Sequence, residues 1–298
     1  MTEHTAKDSH YARLRRRHRD AAAEARPGRA AGPDFRGESP LPGRLWLYGF
    51  HAVEAALANP RRMLRRLLLT RNAASRLQAN RLAAGLPPLI LPDKDEAEKI
   101  QPDSALSVTL AEPRDLDKLL GSQAVHQGIA LETEPLKPQR NEDFSDSSLI
   151  LLLDQITDPH NVGAIMRSAV AFNADFFITT ARHSPQETGV LAKSASGALE
   201  KIDHLAVHNL AETLERLSAA GFQTIGLDSA GEAPLETSFR GKKLALILGA
   251  EGKGLRQKTR QTADILARLD MPGAIKSLNV SNAAAISLYA AHLYLRGR

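Results

Sequence analysis

The chain of 298 residues contains no cysteine. That absence excludes disulfides, cysteine-ligated zinc, iron–sulfur clusters and a cysteine nucleophile together. A cysteine-free chain also suits a reducing compartment. Long apolar runs are missing as well. The longest, residues 149–153 and 244–248, are about a quarter of the roughly 20 residues a membrane span needs. The start is polar, without the apolar stretch of a secretory signal. A cytoplasmic protein without a membrane span is therefore expected. What is present is ordinary for a soluble globular chain: 43% hydrophobic and 24% charged residues. Wholesale disorder and collagen-like structure are excluded.

Charge is unevenly placed. The formal net charge is +5. Residues 1–45 hold ten Lys/Arg and six Asp/Glu, so +4 of it lies there and the remainder of the chain is nearly neutral. A basic arm on a neutral body points to a polyanion, most simply nucleic acid. A solvated tail without a partner is the plainer alternative. A mitochondrial transit peptide is disfavoured by Glu3, Asp8 and Asp20.

Four prolines and three glycines in residues 27–42 mark a linker, so residues 1–44 form a tail. Over 45–134 short apolar runs alternate with helical stretches. Strands are expected at 45–48, 65–70, 88–91 and 128–134, and helices at 49–59, 73–85, 93–100 and 111–120. This predicts a small α/β layer domain. Residues 135–147, with two prolines and mixed charge, read as an interdomain linker. Over 148–298 a second alternation begins with an apolar strand at 148–153, of the kind buried on both faces of a parallel sheet. It ends with a helix at 278–295. The expectation is a doubly wound parallel sheet, in which ligands gather beyond the carboxyl ends of the strands.

Three such strand ends carry unusual residues. The first runs from Asp154 to Arg167 and opens a helix, with Asn161 at the expected N-cap. Arg167 lies four residues after Gly163, on the same helical face, and the small residues beneath it leave room for an anion. The second, from Leu248 to Leu255, holds Gly249, Gly252 and Gly254 around Glu251. Three glycines in six residues imply special backbone angles or close approach. The loop is neither a P-loop, since Gly254 follows Lys253, nor the dinucleotide fingerprint, whose spacing is reversed here. The third, from Leu269 to Asn282, places Ser277, Asn279, Ser281 and Asn282 at a helix start, more polar groups than one N-cap requires.

These segments resemble motifs 1, 2 and 3 of the SpoU/TrmH family of RNA ribose 2′-O-methyltransferases, within the knotted SPOUT superfamily. Motif 1 is carried by Asn161 and Arg167, motif 2 by Gly249 to Gly252 with Gly254, and motif 3 by residues 277–281. Residues 192–202, with Gly197 and Glu200, are similar to the bacterial subgroup that modifies large-subunit ribosomal RNA. Residues 47–52 and 125–128 resemble the two ends of that subgroup's N-terminal RNA-binding domain. The resemblance covers about residues 45–298 and leaves the tail outside.

It implies a trefoil knot in the C-terminal domain, a rare exception to unknotted topology. It also implies S-adenosylmethionine as cofactor, held at Gly249, Leu269 and Leu278, and no metal. By the same resemblance the catalytic residues are Asn161, Arg167, Glu251, Ser277 and Asn279. Arg167 is the family's candidate activator. Because a guanidinium stays charged in proteins, a bidentate grip on the adjacent phosphate suits it better than a base role, leaving a phosphate oxygen or water to take the proton. Glu251 would position Arg167 or the loop amides, and Ser277 and Asn279 would fix the motif 3 turn. His160 is a possible base, although a hydrogen-bonded loop histidine is the more ordinary state. The family habit and the alanine-rich helix 278–295 imply a homodimer. The expected activity is methylation of a ribose, most naturally guanosine, in large-subunit ribosomal RNA. A transfer-RNA ribose methyltransferase and a catalytically silent RNA-binding assembly factor are the alternatives.

Overall fold

The computed structural model describes residues 41–93, 96–102, 104–137 and 143–297. The basic tail to residue 40 and the middle of the expected linker lie outside them. The alternating pattern builds two sheets. In the first, β1 (Leu45–Tyr48), α1 (Phe50–Ala58), β2 (Leu64–Leu69), α2 (Arg71–Ala83), β3 (Lys99–Ile100), β4 (Ser107–Leu110), α3 (Pro113–Leu120) and β5 (Ile129–Thr133) follow in turn. The strand order is β1-β5-β2-β4-β3. The last strand of this layer, β5, runs antiparallel between β1 and β2, and β2 is parallel to β4.

Two expectations fail here. Residues 88–91 form no strand, and residues 96–100 carry the short strand β3 rather than a helix. Prolines at 87, 88 and 92 remove ladder donors. Side-chain amides replace them: Gln78 bonds both the N–H and the carbonyl of Leu89 at 3.0 and 2.6 Å, and Gln101 does the same for Ile90 at 2.9 and 2.8 Å. The strand β4 is also absent from the sequence reading. The third helix starts at Pro113 rather than Ala111, because Glu112 and Asp115 form a reciprocal capping box with proline in the first turn.

The second sheet is wholly parallel, with order β10-β12-β9-β11-β6-β7-β8. Its strands are β6 (Leu149–Asp154), β7 (Phe176–Thr180), β8 (Asp203–Val207), β9 (Gln223–Leu227), β10 (Ala233–Pro234), β11 (Leu244–Gly249) and β12 (Ile265–Arg268). Between them lie α4 (Pro159–Ala171), α5 (Gly189–Ala195), a 3-10 turn (Ala198–Glu200), α6 (Leu210–Ala219), α7 (Leu235–Ser238) and α8 (Gln257–Thr262), with α9 (Val280–Arg296) last. Every residue of β6 is buried, as is all of β11 except Gly249. The chain winds outward from β6 to β8, then returns to the other side of β6. Strand order therefore reverses at the β6–β11 pair. The register sets Asp154 opposite Gly249 at the carboxyl end, where such sheets open a ligand crevice.

The two layers touch through glycines. A Cβ on Gly189 would lie 2.4 Å from the Trp46 carbonyl oxygen, and one on Gly197 would lie 2.9 Å from the Ala55 methyl. Beside them Arg62 is fully buried. It bonds the Glu187 carboxylate at 2.5 Å, the Glu200 carboxylate and the Glu134 carbonyl. The described residues form one compact unit.

On β8, burial pushes the His204 imidazole down from 6.5 to about 4, and its Nε2 lies 2.9 Å from the Thr179 hydroxyl. The unfolded chain then takes up the proton first. Stability is expected to fall as pH drops from about 6.5 to about 4. Denaturant titrations across that window should show a smaller slope for His204→Gln than for the wild type.

Candidate functional site

The first turn of α4 is built on Asp158, not on Asn161 as the sequence suggested. The Asp158 carboxylate accepts from the His160 and Asn161 amides at 3.1 and 3.3 Å, and Pro159 occupies the first helical position. An aspartate ahead of proline meets both cap preferences at once. The Asn161 side chain is thereby released for tertiary contacts. Gly163 also does other work than expected. A Cβ there would lie 2.5 Å from the Leu191 carbonyl oxygen and 2.7 Å from Ser194 Cβ. The space is filled by α5 and is not open to an anion.

The glycine loop after β11 folds back on its own backbone. The Gly254 amide donates to the Ala250 carbonyl at 2.8 Å, and a Cβ on Gly249 would sit 2.2 Å from the Gly254 carbonyl carbon. Gly252 and Gly254 adopt φ of +76° and +64°, which glycine tolerates without strain. The loop presents backbone groups and one exposed acid, Glu251. At the start of α9, Asn279 is the N-cap. Its Oδ1 accepts from the Ser281 amide at 2.8 Å and the Ser281 hydroxyl at 2.5 Å.

These three segments, up to 118 positions apart in sequence, meet in one hydrogen-bonded cluster. Asn279 Nδ2 donates to Asn161 Oδ1 at 3.0 Å and to Glu251 Oε1 at 2.8 Å. The same carboxylate oxygen accepts from the Val280 amide at 3.2 Å and from Asn161 Nδ2 at 3.4 Å. A carboxylate at a helix N-terminus is favoured by the helix dipole. Glu251 therefore joins the three motifs, and among the described residues no bond links it to Arg167. Arg167 itself is exposed, and its guanidinium has no hydrogen-bond or ion-pair partner among the described residues. Ser277 is exposed and outside the cluster. His160 lies in the first turn of α4 rather than in a loop, with Nδ1 3.3 Å from the Ser194 hydroxyl.

Gly249 ends β11, while Leu269 follows β12 two strands away, across β9. Leu278 is 41% exposed and the neighbouring Ile275 77% exposed. A backbone-lined loop flanked by open apolar side chains fits a bulky nucleoside cofactor, with amides for its polar edge and leucines for its faces. A cavity of about 450 Å³ lies elsewhere, beneath α4 and beside β7 and β8, lined in part by Val162, Thr179 and His204.

Sequence reading missed one element of this site. Asp154 is fully buried. It accepts from the Arg256 amide at 3.0 Å and from Arg256 Nε at 2.6 Å, tying the glycine loop to the end of β6. The available signal was an acid ending a strand that is otherwise all leucine and isoleucine.

Residues 148–289 match the model of the SpoU rRNA Methylase family, and residues 46–103 match that for RNA 2′-O ribose methyltransferase substrate binding. The chain belongs to the SpoU rRNA methylase family. It is 36% identical to the 23S rRNA (guanosine-2′-O-)-methyltransferase RlmB of Pseudomonas aeruginosa and 33% identical to that of Pseudomonas putida. Each alignment spans 82% of this chain and 94% of the relative. Among solved structures, the SpoU methyltransferase AviRb from Streptomyces viridochromogenes in complex with AdoMet shares the fold. Its TM-score is 0.64 at 23% identity, over 85% of this chain and 90% of that one.

Asn279→Ala removes the α9 cap and both bonds across the cluster. A loss of about 1–2 kcal/mol, with reduced methyl transfer, is expected from denaturant unfolding and a methyl-incorporation assay. An unchanged midpoint would show that the cluster does not hold the three segments.

Proposed function

We propose that this protein uses S-adenosylmethionine to methylate the ribose 2′-oxygen of a guanosine in large-subunit ribosomal RNA. The observation that carries the reading is the Asn161–Glu251–Asn279 cluster, with an unpartnered Arg167 further along the same helix as Asn161. The RlmB relatives, aligned over both the substrate-binding and methylase regions, favour ribosomal RNA over transfer RNA. Possession of Asn161, Arg167, Glu251, Ser277 and Asn279 argues against a silent assembly factor. We assign residues 45–134 to RNA binding and 148–298 to a knotted methyltransferase domain, joined by 135–147. A cytoplasmic setting accords with the absence, among the described residues, of any helix long and apolar enough to cross a membrane.

When bound, the cofactor supplies an electrophilic methyl on a sulfonium. Gly249, Leu269 and Leu278 hold it through backbone groups and apolar contact. Arg167 grips the phosphate next to the reacting ribose with two parallel N–H bonds and fixes the 2′-oxygen in line. Alignment of this kind is worth several kcal/mol, of order 7–11 at best. Transfer would break the methyl–sulfur bond, leaving the neutral thioether, and the 2′-hydroxyl proton would pass to a phosphate oxygen or to water. Asn161, Glu251 and Asn279 keep the motif 1 helix and the glycine loop in register, and Ser277 completes the motif 3 turn.

The proposal includes a homodimer. Ile286, Tyr289 and Leu293, 47–51% exposed, fall three and then four residues apart on α9, and so share a face. Exposed apolar stripes of this kind mark interaction surfaces.

Arg167→Ala should abolish or severely reduce methyl transfer while calorimetry shows cofactor binding retained. Arg167→Lys should recover little, since an ammonium cannot reproduce the planar grip. Lost cofactor binding in the alanine variant would make Arg167 a structural prop instead. Mapping 2′-O-methyl groups across ribosomal and transfer RNA, with and without the gene, identifies the substrate. Light scattering should give twice 32.3 kDa for the wild type and the mass of one chain for Tyr289→Asp. A monomeric wild type would refute the dimer.

A further inference from the structure

The region around Gly197 and Glu200 was singled out in the sequence but has no part in the chemistry above. It contains α5, which lies between the two layers. Lys193 of α5 reaches across the seam, and its Nζ donates to Gln127 Oε1 at 3.0 Å. Gln127 Oε1 also accepts from the Phe50 amide at 2.9 Å. Gly49 leaves the room for this: a Cβ there would lie 2.5 Å from both Lys193 Cδ and Nζ. No carboxylate faces the ammonium among the described residues. Its only recorded acceptor is a neutral amide, and burial lowers its pKa, as expected of a partly desolvated cation without a counter-charge.

Two neighbouring arginines also lack an ion pair among the described residues. Arg76 stacks 3.9 Å over the Phe50 ring and has no ion pair among the described residues. Arg71, exposed, occupies the first position of α2, whose first turn contains no acid. The positive end of a helix dipole disfavours a cation there and favours an anion. Glu54 of α1 accepts from Asn80 Nδ2 at 2.6 Å and makes no ion pair with these cations among the described residues. Several arginines of the same layer do carry ion pairs: Arg44 and Arg66 share Glu132, Arg65 pairs with Glu134, and Arg62 with Glu187 and Glu200. Lys193, Arg76 and Arg71 are brought to one face by common neighbours: Gln127 bonds both Lys193 and the Phe50 amide, Arg76 covers the Phe50 ring, and Arg71 follows Thr70, whose amide donates to Gly128 beside Gln127. That face continues to the methyl-transfer site, because Ser194, next to Lys193, meets His160, and His160 adjoins Asn161.

From this juxtaposition we propose that the RNA strand flanking the reacting ribose crosses α5 onto the first layer, with Lys193 holding one of its phosphates at the seam and Arg71 and Arg76 holding the next. This rests on the methyltransferase reading. It assigns Lys193 a substrate-binding role that couples the two layers through the RNA.

The test uses the full chain and a large-subunit ribosomal RNA transcript that it methylates. Lys193→Gln should raise KM for RNA about tenfold, with the loss in KM rather than kcat. The plot of log Kd against log salt should become shallower by about 0.7–0.9, the value for one phosphate contact. Lys193→Arg should restore the slope, and cofactor affinity should be unchanged in both. Arg76→Gln should give its own, separate decrease in slope. An unaltered salt slope in Lys193→Gln overturns the proposal. So does a lowered melting temperature with RNA affinity intact, which makes Lys193 only a bridge between layers. Failure of the methyltransferase reading is distinguishable: the wild type would then transfer no methyl, while the salt-slope comparison on bound RNA would still decide the role of Lys193.

Discussion

The pairing of β6 with β11 is the constraint on which the rest of the structure depends. Both strands are buried on both faces, and their register sets Asp154 against Gly249 at the point where strand order reverses. Everything chemically distinctive hangs from that end. The loop after β6 leads to Asn161 and Arg167, and the loop after β11 carries Glu251. The Asp154–Arg256 pair fixes their separation. The Asp154 carboxylate is fully buried, so it is sustainable only with its charged partner and backbone donor in place.

Division of labour between backbone and side chains follows from that arrangement. The glycine loop closes on itself by main-chain contact and offers amides and carbonyls, which suit a nucleoside whose polar groups need directional partners. Side chains on the facing helix ends serve a different need. Glu251 accepts three bonds on one oxygen, from Asn161, Asn279 and Val280. That spends its charge on holding α4, α9 and the loop together. Arg167 stays outside this network and is available to an external anion.

Contact between the two layers uses two kinds of force. Glycines at 49, 189 and 197 permit backbone-close approach, which gives geometry. Arg62, buried among Glu187, Glu200 and the Glu134 carbonyl, supplies a charge that is tolerable only while both layers are present. Removing one member of such a cluster strands a buried charge, a cost of about 3–5 kcal/mol. Lys193, Arg71 and Arg76, beside the seam, have no ion-pair partner among the described residues.

The sequence by itself determined the two α/β layers, the parallel second sheet, the family and the three strand ends where the site residues lie. These features depend on short-range patterning: apolar runs, caps and glycine spacing are legible within windows of a few residues. Tertiary structure decided the rest. It moved the α4 cap from Asn161 to Asp158, because the freed asparagine is needed by Asn279, 118 positions away. It assigned the space at Gly163 to α5. It replaced a strand at 88–91 with glutamine side-chain amides, and it buried Arg62. Each of these depends on which groups meet across long sequence separations. A linear pattern cannot encode that, because the partner of a charge or hydrogen-bonding group is chosen only when the layers pack.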